Sequence, residues 1–111
     1  MLTIRKQQLD HFDEDAWEAF RRRLATFLRT EMAEETEHLD DDQLYAFVVS
    51  CEQRAKGYGI ETEQGFALFT SLSVEMNQFI DDLPEIKKEL AQSPDPEQLL
   101  GLLVDVLSML E

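Results

Sequence analysis

Apolar residues return at helical spacing along most of this chain, and no segment alternates with a period of two. A segment that begins at about Asp13 places its apolar side chains on one stripe of a helical wheel: Trp17, Phe20, Leu24, Phe27 and Leu28. This spacing predicts an amphipathic α-helix, and a short helix that starts after Thr3 is predicted before it. Arg21 to Arg23 lie beside or opposite the stripe, so we interpret this arginine triplet as a solvated face.

Two further segments have the same amphipathic character. The first begins at Asp40 to Asp42, whose carboxylates can cap free backbone N–H groups, and it ends near Gly57 or Gly59. Its apolar stripe is centred on Cys51. The second begins after Thr62, and its apolar residues cover an arc of about 160°, which predicts the central helix of the protein. These apolar residues are Phe66, Leu68, Phe69, Leu72, Met76, Phe79 and Ile80.

A proline marks the start of each of the last two predicted helices, which run from Pro84 to Leu90 and from Pro96 to the end of the sequence. Apolar residues of the final helix cover about 220° of its wheel, roughly twice the arc that one side of a small bundle buries. Two interpretations stay open. The helix is either enclosed within its own bundle, or it packs against a second copy or another protein.

The second interpretation predicts which apolar residues of the final helix meet a partner. We expect the contact within the bundle to be centred on three residues, Leu99, Leu103 and Leu110. That contact would leave one edge of the apolar arc uncovered, and an uncovered apolar patch marks an interaction surface. The residues predicted to contact a partner are Leu100, Val104 and Leu107.

Together these segments predict an all-α protein, a compact single-domain bundle of about five helices over residues 1–111. The length of 111 residues and the apolar content of 43% suit one ordinary domain. Cys51 is the sole cysteine, which excludes an internal disulfide, and the first residues lack the apolar core of a signal peptide. No stretch reaches the roughly 20 apolar residues of a membrane helix. We therefore expect a cytoplasmic protein without membrane contact.

The net charge of the chain indicates which classes of partner it can bind. The formal net charge is -14, and residues 30–53 contain eight acidic residues and no Lys or Arg. Such a field repels nucleic acid and anionic membranes and attracts basic protein surfaces. We predict that Glu34, Glu35, Asp41 and Asp42 steer a protein partner, although loop solvation and helix capping are the alternative role of an acidic run.

The sequence offers little catalytic chemistry. His11 and His38 have no zinc-ligand spacing, and the glycines form neither a phosphate loop nor a dinucleotide fingerprint. Cys51 lies in the middle of an apolar stripe, which predicts burial, a raised pKa and an inert thiol. We therefore expect no cofactor and no metal, and an enzyme that uses Cys51 or a pair of carboxylates is the less favoured alternative.

Four segments resemble a known family. They are the start MLTIRKQQLDHF, the segment from Phe20 to Leu28, the segment Arg54-Ala55-Lys56-Gly57-Tyr58-Gly59-Ile60, and Pro94-Asp95-Pro96. In this order they resemble small all-helical bacterial proteins of unassigned role that are often encoded near type VI secretion spike and effector genes. The resemblance implies an accessory protein that binds a secreted effector or toxin, as an adaptor, a chaperone or an immunity protein. It implies no catalytic residues.

The leading hypothesis is thus a non-catalytic binding protein that combines an acidic field with an apolar helical surface. The alternative with the same fold is a self-associating structural protein, a homodimer whose final helices pair.

Overall fold

Helices account for nearly all of the described backbone, residues 2–110, which contains no β-strand. This computed structural model also describes the side chains of residues 15–106 and of Met109. The helices are α1 Leu2–Glu31, α2 Ala33–Thr36, α3 Asp41–Gly57, α4 Glu63–Met76, the 3₁₀ helix Ile80–Asp82, α5 Pro84–Gln92 and α6 Pro96–Leu110. Five of the six α-helices have nine or more residues. The predicted all-α bundle of about five helices is confirmed.

The first helix differs from the prediction. The sequence predicts a short helix after Thr3 and a separate one from about Asp13, but α1 is continuous over 30 residues. Between these two positions the chain contains neither Gly nor Pro, so no residue there interrupts helical hydrogen bonding. The prediction of two helices was therefore wrong.

The two ends of α3 are fixed by local hydrogen bonds. The Asp40 carboxylate accepts from the Gln43 backbone N–H at 2.7 Å, and the Gln43 side chain accepts from the Asp40 N–H at 2.9 Å, which forms a capping box. At the other end, Gly59 has a φ of +85° and the Ile60 N–H donates to the Ala55 carbonyl. This is a Schellman motif, and it needs a residue that tolerates positive φ.

Helix α4 is the centre of the bundle, as predicted, and it contacts α1, α2, α3, α6 and the 3₁₀ helix. Thr62 caps its start by accepting from the Gly65 N–H at 3.0 Å. Asn77, in the left-handed conformation, ends it. The apolar core around α4 draws on α1, α3, α5 and α6 and includes Leu24, Leu28, Leu44, Val48, Cys51, Phe66, Phe69, Leu72, Leu90 and Leu100.

Candidate partner-binding surfaces

The segment from Arg54 to Ile60, one of the four segments that resemble the family, contacts the 3₁₀ helix. Arg54 Nη1 donates to Asp81 Oδ1 at 2.9 Å and to Asp82 Oδ1 at 3.0 Å, and the Tyr58 hydroxyl donates to Asp81 Oδ2 at 3.2 Å. Asp81 is a buried carboxylate, so these bonds compensate a charge that burial would otherwise make costly. Burial and the nearby Asp81 charge raise the pKa of Tyr58.

Two aromatic rings extend this cluster. The guanidinium of Arg54 lies 3.9 Å from the ring centroid of Phe79, and the Phe79 ring stacks on that of Phe47 with centroids 4.9 Å apart. Arg54 therefore packs on an aromatic face while it binds two carboxylates. We call Arg54, Tyr58, Asp81, Phe47 and Phe79 the α3 junction; its polar groups bind one another.

Cys51 lies in the interior beside the α3 junction. Burial raises the pKa of the Cys51 thiol to about 12, and hydrogen bonds with Ser73 and Thr70 only partly oppose this effect. Ser73 and Thr70 are themselves fully buried on α4. A thiol with so high a pKa is almost entirely protonated near neutral pH and is a poor nucleophile. The predictions of burial and of a raised pKa are confirmed.

One arginine of the triplet, Arg21, is mostly buried, contrary to the interpretation of a solvated face. Arg21 Nε lies 2.7 Å from Glu52 Oε1, and the two side chains are only 12% and 5% exposed. Lys56 Nζ lies 3.4 Å from the other Glu52 oxygen. Arg22 and Arg23 are exposed, as predicted. A wheel drawn for α1 alone did not show that α3 brings a buried carboxylate to the flank of the stripe.

The acidic segment between α1 and α3 is held by a single cation. Arg29 donates to the Thr36 carbonyl at 2.7 Å and to the Leu39 carbonyl at 2.8 Å, and its Nη2 lies 3.2 Å from Asp41 Oδ1. The Thr36 carbonyl also accepts from the Leu39 backbone N–H at 3.0 Å, so Arg29 adds to a turn that the backbone already forms. Arg29 therefore links this segment to α1, while Glu34, Glu35 and Glu37 are exposed to solvent.

The four acidic residues predicted to steer a partner are all exposed, but they lie in two places. Glu34 and Glu35 line a depression of about 180 Å³ together with Glu75 of α4. Asp41 and Asp42 line a separate groove of about 430 Å³ between α1 and α3. This groove also contains the arginines Arg22 and Arg29, so its charge is mixed. The structure does not gather the four acids into one site.

The first depression contains side chains of the kind that bind metals, Glu34, Glu35, His38 and Glu75, but they are not placed together as a metal site. Within the described side chains, no group of three or more His, Cys, Asp or Glu residues is arranged to hold a metal ion. His38 is exposed beside Glu34 and Glu35, while the His11 side chain lies outside the described side chains.

Two of the three α6 residues predicted to contact a partner have described side chains, and neither of them is exposed. Leu100 is fully buried and Val104 is half-buried against the core, so the predicted exposure of Leu100 was wrong. The Leu107 side chain lies outside the described side chains. Among the described side chains of α6, the apolar residues that face solvent are Leu102, Val106 and Met109, which are 56%, 52% and 84% exposed.

A contact at the start of α6 accounts for which face of this helix is buried. The Thr62 hydroxyl hydrogen-bonds to the Glu97 carboxylate, which attaches the first turn of α6 to the start of α4. Leu100 and Val104 follow Glu97 at i+3 and i+7, so the same face continues into the core. The opposite face carries Leu102, Val106 and Met109 at i, i+4 and i+7, which we call the α6 outer stripe.

Comparisons of the chain with models of protein families, with curated proteins and with solved structures found no match. The family resemblance and the role that it implies therefore stay predictions.

Among residues 2–110, no helix combines the length and the apolar character needed to cross a membrane. The excessive apolar arc of α6 was the signal for its exposed surface, although the wheel alone did not select the correct edge.

Proposed function

We propose that this chain is a non-catalytic protein-binding accessory protein of a bacterial secretion or toxin locus, which binds a secreted effector or toxin as an adaptor, a chaperone or an immunity protein. The observation that carries the binding role is the α6 outer stripe, three large apolar side chains in line on one solvent-facing helix. Apolar side chains grouped on a surface are typical of interaction sites. The link to secretion rests on the sequence resemblance alone.

The acidic field has a separate part in this proposal. Complementary charge accelerates the encounter of two proteins, whereas apolar contacts retain the complex. Glu34, Glu35, Asp41 and Asp42 are exposed and suit the first task. The α6 outer stripe suits the second.

The homodimer alternative uses the same stripe. It would place two copies of α6 against each other, and each copy carries acidic residues but no Lys or Arg over Pro96–Leu110. Like charges at such an interface oppose association. The enzyme alternative gains no support from Cys51, because the thiol is buried and its pKa is raised to about 12.

The test is co-expression with the effector or toxin encoded beside the gene of this chain. We expect a complex whose Kd rises at least tenfold when Leu102 and Val106 are both replaced by Ser. Gln53→Ser, an exposed position of α3, is the control away from α6 and should bind as the wild type does. Unchanged affinity of the double variant would contradict the proposed surface.

Light scattering of the purified chain separates the homodimer from this proposal. We expect a monomer at tens of micromolar. A dimer that dissociates in the Leu102→Ser/Val106→Ser variant would instead support self-association through the stripe.

A further inference from the structure

The α6 outer stripe has the geometry of a helix that packs against another helix. Its residues stand at i, i+4 and i+7 and span about 10 Å along the helix axis, or two turns. Anchors with this spacing recur where an amphipathic helix lies along an apolar surface. Leu99 and Leu103 are half-buried beside Val106, so the apolar surface continues from the stripe toward the bundle.

Among the described side chains of α6, the charged residue that borders the stripe is acidic. Asp105 is exposed and stands three residues after Leu102 and four before Met109, so it borders both of them on the helix surface. In residues 57–106, ten acidic residues accompany only two basic ones, Lys87 and Lys88, and both of these lie on α5. An anionic segment on the stripe would meet this field unfavourably, and a cationic segment favourably.

A second copy of the chain fits the stripe poorly. A stable interface between folded proteins buries about 800 Å² on each partner, much more than three side chains on two turns expose. A second copy would also bring another chain of net charge -14. A single helix needs only a narrow line of apolar anchors.

From this combination we infer that the partner segment is a cationic amphipathic α-helix, which packs its apolar face on Leu102, Val106 and Met109 and places Lys or Arg beside Asp105. The inference rests on the proposed function, because it specifies the partner chemistry of the same surface.

Three labelled synthetic helices test the inference by fluorescence anisotropy. The first has leucines at i, i+4 and i+7 flanked by lysines, the second has glutamates in place of the lysines, and the third has the composition of the first in scrambled order. We expect the first to bind the full chain at least tenfold more tightly than the other two. Equal binding by the anionic or the scrambled helix would overturn the inference, as would no binding by the first.

Variants of the chain assign the binding to the stripe. Leu102→Ser/Val106→Ser should reduce affinity for the cationic helix at least tenfold, whereas Gln53→Ser on α3 should leave it unchanged. Circular dichroism verifies that each variant is folded. Asp105→Lys should weaken the cationic helix by about twofold to fivefold and strengthen the anionic one. Unaltered affinities in the Ser double variant would place the binding elsewhere and overturn the inference.

The two proposals can fail separately. If the co-encoded effector binds through the stripe but the cationic helix does not, the binding function stands and the helical partner is wrong. If the cationic helix binds through the stripe and the effector does not, the chemistry of the surface stands and the proposed effector-binding function is wrong.

Discussion

The α3 junction and the α6 outer stripe differ in whether their side chains have partners. At the junction, Arg54 binds Asp81 and Asp82 and stacks on Phe79. On the stripe, Leu102 and Met109 are exposed to solvent although they belong to the most apolar helix of the chain. Polar side chains that hydrogen-bond to one another are explained by the stability of the fold alone. Exposed apolar side chains do not stabilise the fold in this way, and they indicate a contact with another molecule.

This contrast changes the meaning of the sequence signals. The segment from Arg54 to Ile60 contributed strongly to the family resemblance, and the structure gives it a local role, because it pairs with Asp81 and ends α3. The stripe forms no recognisable motif. In this protein the residues of the recognisable segment stabilise the fold, whereas the candidate binding surface consists of Leu102, Val106 and Met109, which belong to no motif.

The largest expected effect concerns Cys51, in the interior beside the junction. Since burial raises its pKa to about 12 from an ordinary value of 9.0, the folded protein should contain about a thousandfold less thiolate at pH 8 than an unfolded chain. A thiol reagent should therefore label the chain at least a thousandfold more slowly in buffer than in 8 M urea. Fast labelling of the folded protein would show that this interior is open and would revive the enzyme alternative.

The same thiol gives stability a defined pH dependence. The folded state holds the proton of Cys51 more tightly than the unfolded state, so this stabilisation is complete below about pH 9 and is lost as the pH rises toward 12. Tyr58, whose pKa is also raised, contributes with the same sign. Urea unfolding at pH 8 and at pH 10.5 should show a smaller loss of stability in Cys51→Ser than in the wild type.

Two leucines of α6 test the division between its faces directly. Leu100→Ala should lower the free energy of unfolding by about 3 kcal/mol, because it leaves a cavity under a fully buried side chain. Leu102→Ala removes the same atoms from an exposed position and should change stability by less than about 0.5 kcal/mol. Equal losses of unfolding free energy in urea titrations would mean that the stripe is buried within the isolated chain. The distinction between a buried and an exposed face of α6 would then be wrong.

The sequence could predict the local features of the structure, but not the contacts between residues that are far apart in the chain. Local signals such as the Asp40 cap, the Thr62 cap and the Pro84 start depend on neighbouring residues, and the structure confirms them. The partly buried pair of Arg21 and Glu52 joins residues 31 positions apart, and a helical wheel of a single helix cannot show such a contact. The exposed edge of α6 likewise depends on where its first turn meets α4.

The cation at the α3 junction should matter more than an exposed one. Arg54→Ala would leave the buried Asp81 carboxylate with the Tyr58 hydroxyl as its remaining partner among the contacts described. Breaking a buried ion pair costs roughly 3–5 kcal/mol, and because Arg54 is 35% exposed, solvent screening reduces the expected loss to about 2 kcal/mol.

Lys87→Ala, on the exposed surface of α5, is the matched control for Arg54→Ala and should stay within about 0.5 kcal/mol of the wild type. Thermal or urea unfolding measures both variants. If Arg54→Ala cost no more than Lys87→Ala, the junction would be a surface arrangement of charges with no greater structural role than any other.

The smallest expected effects come from two glycines that report on how closely α6 is packed. A Cβ at Gly65 of α4 would lie 2.6 Å from Ile60 Cγ2 and 2.8 Å from Glu97 Cγ, so Gly65→Ala crowds the contact that sets the rotation of α6. We expect a net loss of about 1 kcal/mol, because overpacking outweighs the gain in helix propensity. A Cβ at Gly101 meets nothing within 4 Å, so Gly101→Ala should stabilise the protein by about 0.5 to 1 kcal/mol. Opposite signs in urea unfolding are the expected result. The same sign for both would show that the inner contact with α4 is no tighter than the open surface, and the explanation for the exposure of the α6 outer stripe would fail.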